Sequence, residues 1–72
     1  MSTSAENKAI GYRLQQIRDR KGLSQQAFAR SLHVSLRTYQ NYERGDRAVS
    51  KDLMCALMEQ HDVAPLWLLT GK

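Results

Sequence analysis

An all-α fold of five short helices is what this sequence predicts, and three observations predict it. Apolar residues recur at helical spacing along the chain, as in Ile10, Leu14 and Ile17. Serines at positions 24, 35 and 50 each stand just ahead of such a segment, where a side-chain oxygen satisfies an otherwise orphan backbone N–H. Gly22, Gly45, Pro65 and Gly71 punctuate the segments, and no stretch alternates apolar and polar residues as a half-exposed strand does.

Helix 1 is expected over about residues 5–21. Thr3 and Glu6 have the spacing of a capping box at its start. Gly11 lies inside it at a cost of ~1 kcal/mol relative to alanine, which close packing would explain. Arg18, Arg20 and Lys21 fill the last turn, favourable for the helix dipole, and Gly22 is the stop. Leu23 then tucks the chain back toward the core.

The second helix is expected over 25–32, with Ala27, Phe28 and Leu32 as apolar positions and Ala29 where another helix can approach. His33-Val34 breaks the pattern, and a third helix follows over 36–44. Gly45-Asp46 marks a turn, and Arg47 to Val49 form a short basic loop. The fourth helix, 51–61, presents Leu53, Met54, Leu57, Met58 and His61 as a broad core face, and Val63 is a further core candidate. Pro65 suits the first position of a last helix, 65–70, where its missing N–H is harmless.

Helices two and three with their tight turn form a helix-turn-helix. Tyr39 and Tyr42, three apart, define the buried side of the third helix. Leu36, Arg37, Gln40, Asn41 and Arg44 fall on one stripe on its opposite side. Arginine can fork onto guanine, amides can pair with adenine, and leucine can meet a thymine methyl. The stripe therefore suits a helix that reads double-stranded DNA from the major groove. A merely solvated polar face is the plainer interpretation, so the charge distribution matters.

The chain of 72 residues carries a net charge of +4. Residues 1–47 hold nine Lys/Arg against four Asp/Glu, or +5, and residues 48–72 two against three, or −1. The basic excess is concentrated around the helix-turn-helix, which fits a polyanionic partner and salt-sensitive phosphate contacts. One small domain spanning 1–72 is expected.

Other classes are disfavoured. No apolar run approaches the ~20 residues of a membrane span, and the first residues lack the order of a secretory signal. The one cysteine, Cys55, forms no internal disulfide and suits a cytoplasmic protein; beside the core face of helix four, it is expected to be a structural thiol. His33 and His61 have no companion at metal-ligand spacing, so no metal or cofactor is expected. No phosphate-binding glycine loop or catalytic constellation occurs, so an enzyme is not expected. Tyr12, Tyr39, Tyr42 and Trp67 are too few for a single-strand stacking platform.

The segments RLQQIRDRKGLSQQAFA, YERG and PLWLLTG together resemble the lambda-type phage repressor and Cro (XRE-like) family, over about Ile10 to Gly71. The resemblance implies a five-helix lambda-repressor-like DNA-binding domain that acts as a dimer on operator DNA. It implies that Arg18 and Glu43 form a structural ion pair tying helix 1 to the end of the reading helix. It implies base-reading roles for Leu36, Arg37 and Asn41, to which the stripe adds Gln40. Gln25 matches a position that contacts phosphate and braces base-reading side chains, and Arg44 and Arg47 match phosphate-contacting positions. Ser24 and Ser35, the caps of the two helices, join the phosphate set.

There are departures from the family pattern. His33 stands where many members have glycine, so it must adopt a positive φ or the turn must differ. Leu36 replaces a residue often polar, and His61 one usually apolar, so His61 is expected to be half-buried. The larger phage repressors carry a second domain, so this sequence corresponds to a stand-alone regulator or to a DNA-binding portion.

Pro65 to Leu69 is more apolar than one short helix normally buries. Pro65, Trp67 and Leu68 are expected at a two-fold homodimer interface, with Leu66 and Leu69 capping the core. The leading function is thus a sequence-specific repressor of phage or bacterial origin, in the bacterial cytoplasm, on a near-palindromic operator. The alternative is an antitoxin-like or adaptor module that reuses the fold to bind protein.

Overall fold

The computed structural model describes residues 4–72. Thr3, with the capping box assigned to it, lies outside the described residues. Five helices follow in order: α1 (Ser4–Arg20), α2 (Gln25–Ser31), α3 (Leu36–Arg44), α4 (Lys51–His61) and α5 (Pro65–Thr70). No strand occurs among the described residues.

The helix ends follow local chemistry. Ser24, Ser35 and Ser50 accept through Oγ from the backbone N–H groups of Ala27, Thr38 and Leu53, each at 3.1 Å. At the end of α1, Gly22 takes φ +65°; its N–H reaches the Asp19 carbonyl and that of Leu23 reaches the Arg18 carbonyl, both at 3.1 Å. Those are the paired bonds of a Schellman stop. The same device ends α2, but with His33 at φ +61° where a glycine is usual, and Val34 N–H bonded to the Ala29 carbonyl at 3.1 Å. Of the two possibilities the sequence left at His33, positive φ is the one realised.

Ile10, Leu14, Phe28, Leu32, Tyr39, Tyr42, Leu53, Leu57, Val63 and Leu68 all belong to one core. The Phe28 and Tyr39 rings meet edge to face with centroids 5.3 Å apart, a favoured aromatic geometry. α1 lies along α3, and α2 and α5 pack against α3 and α1 respectively. Gly11 is buried in the α1–α3 contact, where an added Cβ would come within 2.7 Å of the Tyr42 carbonyl oxygen and closer still to that of Glu43. Its helix-propensity cost is thus accounted for by backbone approach.

Some expectations are corrected. In α5 the register is opposite to the one inferred: Leu68 is 0% exposed, while Leu66 and Leu69 are 65% and 49% exposed. Helix propagation from Pro65 turns the fourth residue inward, and composition alone could not fix that phase in so apolar a segment. Leu68 is therefore a core residue and unavailable to a partner. Cys55 is exposed, midway between Leu53 and Leu57 in sequence and so turned to the opposite side of α4, and it is no packed structural thiol. Ala27 is exposed, and Ala29 takes the buried position. Met58 is also exposed, making the core face of α4 narrower than expected.

Candidate nucleic-acid interface

α2, the His33-Val34 turn and α3 bring one outward stripe together because Tyr39 and Tyr42 are driven into the core. With that side fixed, helical geometry turns Leu36, Arg37 and Arg44 outward, and all three are exposed. Gln40 and Asn41 lie half-buried on the flank of the same face. Leu36 is a large apolar side chain left 38% exposed at the first turn of α3. Ser24 and Ser35 are exposed at the two helix starts, where free backbone N–H groups and the positive dipole end favour anions. Arg47 is exposed beyond the end of α3, its guanidinium 5.5 Å from the Tyr42 ring centroid, within cation–π range.

Behind the stripe, a polar cluster converges on Glu43. Arg18 Nε donates to Glu43 Oε2 at 3.0 Å and Nη2 donates to Oε1 at 3.3 Å, the two-pronged geometry that suits guanidinium and carboxylate. Arg18 Nη1 also donates to the Leu23 carbonyl at 3.0 Å, which fixes the turn leading into α2. Gln25 Nε2 donates to Glu43 Oε1 at 3.0 Å, and the Tyr39 hydroxyl donates to Glu43 Oε2. Burial alone would raise the Glu43 carboxyl; the hydrogen bonds from Arg18, Tyr39 and Gln25, with the charge of Arg18, outweigh it and hold it below the ordinary carboxylate value. The bond to Glu43 holds the Arg18 guanidinium above its ordinary value. Burial, then the bond to Glu43, pushes the Tyr39 phenol far up, so it remains a donor.

Two further links join stripe residues to this frame. Gln40 Nε2 donates to Gln25 Oε1 at 3.1 Å, which bridges α3 to the start of α2. Arg44 Nη2 donates to Asn41 Oδ1 at 2.6 Å, and Arg44 Nε pairs with Asp46 Oδ2 at 3.1 Å. The sequence reading took Tyr39 only as an apolar ring, although its i, i+4 spacing to Glu43 was visible. Asp46 stands in the sequence only as a turn residue beside Gly45, and the resemblance has Gln25 brace base-reading side chains without singling out Gln40 as the partner.

On the far side of α2, the His61 ring meets Phe28 at a tilt of 49° with centroids 4.6 Å apart, and its Nε2 lies 2.7 Å from Ser31 Oγ. Burial, then the charge of Lys21, lowers its pKa. Its half-buried position agrees with expectation.

The described residues contain no group of three or more His, Cys, Asp or Glu placed to hold a metal ion, and no helix long and apolar enough to cross a membrane. The helix-turn-helix family model matches residues 14–68. The chain belongs to the lambda-repressor-like helix-turn-helix family. It is accordingly a DNA-binding helix-turn-helix regulator, and double-stranded DNA is the partner of this fold. No curated protein and no solved structure matches it.

Proposed function

We propose that this regulator is a repressor that binds a near-palindromic operator as a homodimer, with α3 of each copy in the major groove. The observation that carries the reading is the outward stripe of α3, backed by the Arg18–Glu43 pair and flanked by two capped helix starts. In this reading Leu36, Arg37, Gln40 and Asn41 meet base edges, while Ser24, Gln25, Ser35, Arg44 and Arg47 meet phosphates. A two-fold dimer sets its reading helices about 34 Å apart, one turn of DNA.

The exposed Leu66 and Leu69, with half-buried Pro65 and Trp67 beside them, are the surface we assign to the dimer contact. Leu68 is withdrawn from that set because it is core.

The test is selection from a randomised duplex pool across a salt series, followed by sequencing. Enrichment of paired half-sites one turn apart is expected, with affinity falling steeply as salt rises. Arg37→Ala or Asn41→Ala should each cost ~1–3 kcal/mol and relax one base position, while Arg44→Ala weakens all sequences alike. Equal losses for Arg37→Ala on selected and random DNA would remove its base-reading role. Salt-sensitive binding without enrichment would leave a basic surface only.

A further inference from the structure

The end of α1 and the link from α4 to α5 enclose a cleft of about 360 Å³, with Ile17, Arg20, Lys21, His61, Val63 and Trp67 in its lining. Its base is apolar, because Ile17 and Val63 belong to the core, and the half-buried Trp67 indole adds an aromatic wall. His61 is a fixed wall. Its ring is held by Phe28, with centroids 4.6 Å apart, and by Ser31 Oγ at 2.7 Å from Nε2.

Arg20 and Lys21 bring two positive charges to this cleft, and neither is engaged elsewhere. Cations at a helix end ordinarily bond its last carbonyls. Here the carbonyls of Ile17, Arg18 and Asp19 already accept from the backbone N–H groups of Lys21, Gly22 and Leu23 at 3.1–3.2 Å. Among the described residues, neither side chain has an ion pair or a hydrogen bond. The charge of Lys21 is felt at the His61 ring, which puts the ammonium on the cleft side of the α1 end. Asp62, at φ +53° where α4 stops, is the acid among the lining residues. Two cations against one carboxylate leave the cleft with one positive charge unbalanced.

We propose that this cleft is a binding site for a small monocarboxylate with an aromatic body, its carboxylate on Arg20 and Lys21 and its ring on Trp67. A guanidinium forks onto a carboxylate with two parallel bonds, and the ammonium adds a point charge beside it. The indole offers a face and an edge for offset or edge-on contact with a second ring. Sites for small molecules start at about 300 Å³, so a single ring fills this one. A second negative group would meet Asp62. None of these residues belongs to the α3 stripe or to the phosphate set, so the site stands apart from the operator-binding reading and does not depend on it.

The chain has a single tryptophan, so its fluorescence reports on the cleft directly. The experiment is a titration of the full chain at low salt with benzoate, and with benzamide as the neutral isostere. Benzoate should change the Trp67 emission saturably, with a dissociation constant of about a millimolar or tighter, and benzamide should bind at least about fivefold more weakly. Arg20→Gln and Lys21→Gln should each weaken benzoate about two- to fivefold, with circular dichroism reporting an intact fold. Trp67→Leu, followed through the His61 ring protons by NMR, should lose most of the binding. A flat or merely linear response to benzoate overturns the inference, as does benzamide binding equally well. So does unchanged benzoate affinity in both charge variants. If the emission follows protein concentration and ignores benzoate, a second copy of the chain fills the cleft and the small ligand is excluded.

Discussion

Gly11 of α1 and Tyr42 of α3 meet backbone to backbone: a Cβ on Gly11 would stand 2.7 Å from the Tyr42 carbonyl oxygen. Two terms of opposite sign follow for Gly11→Ala. Helix propensity favours alanine by ~1 kcal/mol, but the obstacle is backbone, which cannot rotate aside, and overpacking costs ~1–3 kcal/mol or more. The steric term wins. Melting by circular dichroism should show a Tm at least ~4 °C below wild type; an equal or higher Tm would mean that α1 and α3 are further apart.

Arg18→Met should be more damaging than its partly exposed position suggests. It leaves the Glu43 carboxylate, 8% exposed, without its cation, and breaking such a pair from one side costs ~3 kcal/mol or more. Adding Glu43→Leu should recover part of the loss, since the uncompensated charge is then gone. Urea unfolding of the single and double variants decides this. A double variant less stable than Arg18→Met would count against it.

Acid should destabilise the fold in two stages. Burial, then the charge of Lys21, depresses the pKa of His61 from its ordinary 6.5, so the unfolded chain takes up that proton first. Stability is complete above pH 6.5 and is lost as pH falls through that value toward the folded pKa. Glu43 is held below its ordinary 4.5 against the pull of burial; its contribution is present above pH 4.5 and is lost as pH falls through the folded pKa. Urea midpoints from pH 8 to 3 should show both declines, and His61→Gln should remove the upper one alone.

His33 occupies the left-handed region at φ +61°, where a side chain costs ~1–2 kcal/mol. Part of that is offset in His33→Gly by the freedom glycine has in the unfolded chain, so a gain of ~0.5–1 kcal/mol is expected. His33→Val, β-branched, should lose stability. Thermal melts of both variants should straddle the wild type; identical melts would argue that the turn relaxes.

The two faces of α5 separate stability from association. Leu68→Ala should cost ~2–5 kcal/mol as a buried cavity. Leu66→Glu changes an exposed side chain, so it should leave Tm nearly unchanged and weaken self-association in sedimentation experiments. Unchanged association after Leu66→Glu together with Leu69→Glu would exclude this surface from the dimer contact.

The sequence made most of the fold legible through local signals. Ser24, Ser35 and Ser50 announce helix starts because capping is decided within three residues, and Ile10, Leu14 and Ile17 announce a core stripe by spacing. The phase of α5 was hidden, because four apolar residues in a row carry no periodicity from which Leu68 could be singled out. At the interface, the stripe positions could be read from helical spacing, whereas the link from Gln40 through Gln25 to Glu43 depends on how α2 crosses α3. That is a tertiary fact, to which only the family resemblance, with Gln25 bracing base-reading side chains, gives a pointer.

Arg13 Nη1 donates to the Leu68 carbonyl at 2.9 Å across a separation of 55 residues. During synthesis, α1 therefore emerges from the ribosome long before the helix it clasps. At roughly 5–20 residues per second the interval is about 3–11 seconds. Throughout it the side of α1 that α5 covers has no closing layer and is open to chaperones or proteases. A nascent chain halted before Leu68 would lack the helix that packs against α1 from the other end of the chain. The window in which this regulator is vulnerable is thus set by translation speed, and it closes only when α5 arrives.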